Sequence, residues 1–159
     1  MTKIIFVCYG NICRSVAAEF VLKQLIKEKG LTGDVSIISR GISNCEQGSD
    51  TYPLMKEVLE KNNIEITRHI ALGINADEIK NATYVLCMEQ FQIDFLKRKF
   101  YAEIKDFSNV YLISAFSTKM KGEQIADPYY SLNFELAFKQ IYYHTTQFLN
   151  YLINKGILK

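Results

Sequence analysis

The stretch "IIFVCYGNICRSVAAEF", from Ile4 to Phe20, joins a continuous apolar run to an amphipathic segment through a loop richer in chemistry than a turn requires. Ile4 to Cys8 is dense in β-branched and aromatic residues and reads as a buried strand. From Val16 to Lys29 the apolar positions Ala17, Phe20, Val21 and Leu25 recur at helical spacing, and Gly30 stops the pattern. The alternation then repeats. "DVSIIS" from Asp34 to Ser39, "TYVLCM" ending near Met88 and "NVYLIS" from Asn109 read as further strands. "SDTYPLMKEVLEKNN" reads as a helix capped at Ser49 or Asp50 and closed by Asn62–Asn63, and "NADEIKNA" as a short helix starting at Asn75. Glu89 to Phe100 is another helix. The region from about Phe116 to Tyr130 is polar and looped, and from Leu132 to Ile153 the residues Phe134, Ala137, Phe138, Ile141, Phe148 and Leu152 share one helical face.

Strands that alternate with helices predict an α/β fold, a four-stranded parallel sheet flanked by helices on both faces. A strand order of 2-1-3-4 would set the end of the first strand at the switch point, where such sheets bind ligands. The 159 residues suit a single domain spanning 1–159. A net charge of +2 is too mild to argue for nucleic acid or a membrane surface. No segment has the roughly eighteen consecutive apolar residues of a membrane span. The run at Ile4–Cys8 is shorter than a signal peptide's apolar core, so the expected compartment is cytoplasmic. Four cysteines in a chain of this length predict thiols, not a disulfide scaffold.

Their reactivity is the question the loop raises. Its backbone can turn N–H groups onto the axis of the following helix, whose N-terminus already carries unpaired donors and partial positive charge. Gly10 and Asn11 tolerate the left-handed backbone that a tight concave loop needs. Tyr9, Gly10, Asn11, Ile12, Cys13 and Ser15 would then form a nest for a tetrahedral oxyanion such as inorganic phosphate. Arg14 adds a fork for two of the anion's oxygens. The same field acts on Cys8: a free thiol titrates near ~8.5, and one at a helix N-terminus beside arginine falls to roughly 3.5–7.5. With a hydrogen bond from Ser15, Cys8 is an activated nucleophile beneath a phosphorus atom. Cys8 and Cys13 also have the spacing of half a zinc site, but no second pair follows to complete it. A thiolate that displaces an alkoxide or phenoxide needs a general acid. "ADPYYS" offers Asp127, held extended by Pro128 and followed by Tyr129 and Tyr130, two rings suited to a flat substrate.

"VCYGNICRS" together with "DPYY" resembles the low-molecular-weight protein tyrosine phosphatases, whose pattern is C-x-G-N-x-C-R-S near the start and D-P-Y near the end. The resemblance spans nearly the whole chain and implies a flavodoxin-like three-layer sandwich. It implies that Cys8 forms a phosphocysteine, that Arg14 clamps the phosphoryl oxygens, and that Asn11 holds the loop. Ser15 would stabilise the leaving thiolate, and Asp127 would protonate the phenolic oxygen and then activate water. Tyr129 and Tyr130 would line the aromatic slot, with Ser39 and His69 as polar support behind the loop. It implies no metal and no cofactor, phosphotyrosine proteins as substrates, and a Cys8–Cys13 disulfide as redox protection. Tyr129 and Tyr130 become candidates for phosphorylation by a kinase.

Three positions depart from the pattern. Val16 replaces the usual proline after R-S, Glu89 the usual aspartate, and Cys45 a bulky aromatic at the pocket mouth. The last predicts an open wall and altered selectivity. Two other functions compete. Arsenate reduction on the same fold needs a cysteine relay, yet Cys87 falls inside a strand and no cysteine follows it. A non-catalytic phosphate-binding or zinc module would keep the nest but would not need Asp127.

Overall fold

Four strands form one parallel sheet in the order β2-β1-β3-β4, with β1 Thr2–Cys8, β2 Val35–Gly41, β3 Tyr84–Cys87 and β4 Val110–Leu112. The computed structural model describes residues 1–159. β1 lies between β2 and β3, with Cys8 opposite Gly41 on one side and Val7 opposite Cys87 on the other. The chain therefore reverses its direction of growth across the sheet at the end of β1, and the crevice of such a sheet opens there.

Alternation along β1 builds two cores. Ile4, Phe6 and Cys8 pack with α1 (Arg14–Glu28), α2 (Pro53–Lys61) and α6 (Phe134–Asn154). Ile5 and Val7 pack on the opposite face with α3 (Ala76–Asn81) and α4 (Gln90–Lys99). Because both faces are covered, β1 is apolar without interruption from Ile4 to Cys8, as a central parallel strand must be. Cys8 thus reaches the site from the α1 side and Cys87 is sealed on the other.

Several element ends differ from the sequence expectation, each for a local reason. α2 starts at Pro53 rather than behind Ser49 or Asp50. Proline favours the first helical position, and the Asp50 carboxylate is already engaged by the N–H groups of Thr51 and His69 and by Lys56. The fourth strand is only three residues long, and Ile113–Phe116 turns into a 3-10 helix. The looped region ends in a one-turn helix, α5 (Pro128–Ser131), which Asp127 caps by accepting from the Tyr129 N–H at 3.0 Å. Leu132 then takes a left-handed conformation and Asn133 caps α6, so that helix begins at Phe134.

Candidate active site

Between Cys8 and Arg14 the chain makes its turn by giving five of its carbonyls, those of Cys8, Tyr9, Asn11, Ile12 and Cys13, to donors elsewhere in the protein. Cys8 C=O accepts from Ile42 N–H at 2.9 Å, Tyr9 C=O from Ser43 at 3.1 Å, Ile12 C=O from Tyr52 at 2.7 Å, and Cys13 C=O from Ala17 at 3.0 Å. The Asn11 carbonyl accepts from the His69 ring at 2.7 Å. A planar peptide points its N–H opposite its C=O. With the carbonyls tied outward, the N–H groups face the other way, and those of Gly10 to Arg14 have no acceptor within the protein. They form a concave set of donors at the start of a fifteen-residue helix.

Asn11 carries the left-handed residue of the loop, with φ of 62°. Of the two residues that the sequence offers for a left-handed backbone, Gly10 does not adopt it. A Cβ at Gly10 would stand 3.1 Å from the Glu46 Cγ, a tight approach that a small shift of that side chain relieves. Gly41, facing Cys8 across the sheet, is under a tighter constraint: a Cβ would lie 2.7 Å from the Tyr9 carbonyl. The Asn11 side chain is fully buried and spans the loop, its Oδ1 accepting from Leu72 N–H at 3.0 Å and its Nδ2 donating to Ser15 Oγ at 2.9 Å. Because the Ser15 oxygen accepts from Asn11, its own hydrogen is free for the Cys8 Sγ, 3.0 Å away.

Arg14 is buried. Its Nη1 donates to Glu89 and, at 2.7 Å, to the carbonyl of Ile125, and its Nη2 lies 3.5 Å from Asp127 Oδ2. Burial alone would lower the proton affinity of the guanidinium; Cys8, Glu89 and Asp127 outweigh it and raise the group above its ordinary value. The longer Glu89 side chain therefore reaches Arg14 directly. Cys13 lines the same cavity, and its thiol is pushed well above the ordinary range, first by desolvation and then by Cys8, with Arg14 opposing.

The cavity over Cys8 has a volume of about 220 Å³ and brings together Cys8, Tyr9, Gly10, Ile12, Cys13, Arg14, Cys45, Asp127, Tyr129 and Tyr130 from the sequence candidates. It adds Glu46 and Tyr52, which sequence reasoning missed. Tyr52 stacks on Phe134 and meets Tyr129 edge to face. Tyr52 is the only aromatic in "SDTYPLMKE", and no local signal could have pointed to it. Cys45 is exposed at the rim, with Glu46 beside it. Ser39 does not join the support behind the loop, a second correction: it is buried, but its hydroxyl donates to Glu19 Oε1 at 2.6 Å and so ties β2 to α1. No group of three or more His, Cys, Asp or Glu side chains is placed to hold a metal ion. No helix is long and apolar enough to cross a membrane.

The chain matches the family model for the low molecular weight phosphotyrosine protein phosphatases over residues 3–156. It is 27% identical over 159 residues to the low molecular weight protein-tyrosine-phosphatase PtpA of Staphylococcus epidermidis, covering 100% of this chain and 99% of that protein. The crystal structure of YfkJ from Bacillus subtilis superposes with a TM-score of 0.90 at 27% identity, covering 98% of this chain and 96% of that one. YwlE, an arginine phosphatase, shares the fold at a TM-score of 0.80 and 22% identity, covering 95% of each chain. Fold, loop and sequence comparison lead to one assignment: the chain belongs to the low molecular weight phosphotyrosine protein phosphatase family.

Proposed function

We propose that this phosphatase hydrolyses phosphotyrosine monoesters in proteins through a phosphocysteine intermediate on Cys8. The observation that carries this reading is the alignment of five acceptor-free N–H groups, Gly10 to Arg14, around a cysteine sulfur that also faces a hydroxyl donor. Three equatorial phosphoryl oxygens need such donors as charge spreads onto them in the transition state. Arg14 supplies the fixed positive charge, and Glu89 and the Ile125 carbonyl hold its guanidinium in place.

In the first step the Cys8 thiolate attacks phosphorus, an S–P bond forms, and the P–O bond to the phenol breaks. Protonated Asp127 gives its proton to the departing oxygen. In the second step water attacks the phosphocysteine and loses a proton to Asp127, and the S–P bond breaks to return the thiolate. The Ser15 hydroxyl, 3.0 Å from the sulfur, stabilises that leaving thiolate.

The YwlE fold relationship raises phosphoarginine as a second substrate class, and the Glu46 carboxylate at the cavity rim is the feature that favours it. Ile12, Tyr52, Tyr129 and Tyr130 favour an aromatic ring, and they make up more of the wall. Against an arsenate-type relay stands Cys87, sealed on the far face of the sheet from Cys8. Tyr129 and Tyr130 are both exposed, which supports their availability to a kinase.

Parallel assays on phosphotyrosine and phosphoarginine peptides with the wild type, Cys8→Ser and Asp127→Ala test the proposal. Turnover of phosphotyrosine that is abolished in C8S and falls by about 10²-fold in D127A is the expected result. Activity that survives C8S, or a preference for phosphoarginine, would overturn it.

A further inference from the structure

His144 is wholly buried in α6, and the chemistry at Cys8 makes no use of it. Its Nδ1 lies 2.7 Å from Ser117 Oγ and its Nε2 lies 2.8 Å from Glu123 Oε1. An ionised carboxylate only accepts, so Nε2 carries a hydrogen and donates to Glu123. In the neutral ring Nδ1 is then an acceptor and takes the Ser117 hydroxyl hydrogen. A serine, a histidine and a carboxylate in a row can mark a nucleophile, but Ser117 is only 4% exposed and lines neither cleft beside Asp127. The arrangement has another use.

Ser117 and Glu123 are the two feet of a loop whose tip contains Met120 and Gly122 in left-handed conformations. The His144 ring closes the feet onto α6. Two further ties act at the same place: Ser114 Oγ donates to the Glu123 carbonyl at 2.8 Å, and Gln147 in α6 accepts from both the N–H and the hydroxyl of Thr118. From Glu123 the chain runs directly to the site. Gln124 Oε1 accepts from Gln90 N–H at 2.7 Å, Ile125 N–H donates to Met88 C=O at 3.0 Å, Ile125 C=O accepts from Arg14, and Asp127 follows. α6 also packs in one core with α1, the helix that begins with Arg14.

We propose that His144 is a positioning residue for the reaction: by tying Ser117 and Glu123 to α6 it fixes where the segment Glu123–Asp127 places the Asp127 carboxylate relative to Arg14 and Cys8. The proposal rests on the reading of Asp127 as the general acid. A displacement of about 1 Å at a catalytic group is enough to cost up to two orders of magnitude in rate. Loosening the feet of the loop transmits such a shift along four residues that contain no helix or strand.

The readout is leaving-group dependence, because phenol, a poor leaving group, needs the acid far more than p-nitrophenol does. kcat/KM is measured on phenyl phosphate and p-nitrophenyl phosphate for the wild type, D127A, His144→Phe, His144→Gln and Ser117→Ala, with inorganic phosphate as a competitive inhibitor. D127A tests the acid assignment alone and is expected to lose much more on phenyl phosphate. H144F is expected to show the same preference in milder form, about tenfold on phenyl phosphate against about twofold on p-nitrophenyl phosphate, with phosphate inhibition unchanged. H144Q, whose amide can still donate to Glu123, is expected to recover part of that loss. Should H144F fail to fold, H144Q and S117A carry the test, each with a thermal melt as a control. Equal losses on both substrates in the folded variants, or none, would overturn the positioning role while D127A keeps its preference. A D127A that shows no preference would instead overturn the acid assignment.

Discussion

The ring of His69 donates from Nε2 to the backbone carbonyl of Asn11 across 2.7 Å, and so a residue 58 positions away holds the one left-handed turn of the loop between β1 and α1. Asn11 is held on three sides: by His69 at its carbonyl, by Leu72 N–H at Oδ1, and by its own donation to Ser15. Asn11→Ala removes the acceptor of the Leu72 N–H, frees the Ser15 hydroxyl to turn from Cys8, and puts alanine at φ of 62°. We expect a stability loss of about 2–3 kcal/mol and a drop in kcat/KM of more than tenfold. Denaturant melts and p-nitrophenyl phosphate kinetics check both, and a fully active N11A would contradict this view of the loop.

Glu89 and Arg14 form the second relationship that the site depends on. Removing the carboxylate leaves a buried guanidinium with the Ile125 carbonyl and a 3.5 Å approach to Asp127. Glu89→Ala is expected to destabilise the fold by about 2 kcal/mol and to weaken inhibition by inorganic phosphate about tenfold, because the fork loses its brace. Glu89→Asp, with a shorter reach, should fall between E89A and the wild type. Unchanged phosphate inhibition in E89A would show that Ile125 alone positions Arg14.

The sequence makes much of this plain and hides the rest for physical reasons. The strand-to-helix alternation shows through because the central strands β1 and β3 are buried on both faces and read as continuous apolar runs, and the order β2-β1-β3-β4 then sets Cys8 at the switch point. Cys8 and Arg14 stand out because a turn has no use for them, and Asp127 because it stands before Pro128 and two tyrosines. What stays hidden is contact across the fold. Ser39 pairs with Glu19 in α1 and not with the loop, and nothing near "ISRGIS" announces it. Tyr52 and Glu46 enter the cavity only when the chain after β2 folds back over the loop. His144 sits within an amphipathic helical stretch like any interior polar residue, and its partners lie 27 and 21 positions away.

Asp50 gives a pH dependence with a definite sign. The hydrogen bond from Lys56, then the N–H groups of His69 and Thr51, stabilise its carboxylate and hold it well below the ordinary range. In the unfolded chain it titrates near ~3.9. Its contribution is therefore complete above that value and is lost as pH falls below it, since the unfolded chain takes up the proton first. The pair with Lys56 is about 35% exposed on each side, so solvent screening limits the effect to about 1 kcal/mol. The Tm of Asp50→Asn should lie below the wild type at pH 7, and the gap should close between about pH 4 and pH 2. Parallel curves across that range would rule Asp50 out as the cause. Because Asp50 also anchors the His69 N–H, the same variant should lower kcat/KM by about twofold at pH 7.

The four thiols should separate by environment. Cys45 is exposed and Cys8 lines the cavity, whereas Cys87 is fully buried and its thiol is pushed up by burial and then by Cys8. Cys13 shares the cavity, but desolvation and the neighbouring Cys8 hold its proton firmly. At pH 7 iodoacetamide should label Cys45 and Cys8 and spare Cys13 and Cys87, and inorganic phosphate should protect Cys8 alone. Peroxide changes this ranking. Oxidation of Cys8 to a sulfenic acid removes its negative charge, and with it the second largest of the three effects (desolvation, Cys8 and Asp127) that keep Cys13 protonated. Cys13 sulfur can then attack the Cys8 sulfur, releasing water and closing a disulfide. We expect mass mapping after peroxide to find Cys8 and Cys13 joined and Cys87 unmodified, with activity restored by dithiothreitol. In Cys13→Ser the same treatment should carry Cys8 onward to sulfinic acid, and dithiothreitol should restore nothing; equal recovery in C13S would show that Cys13 gives no protection.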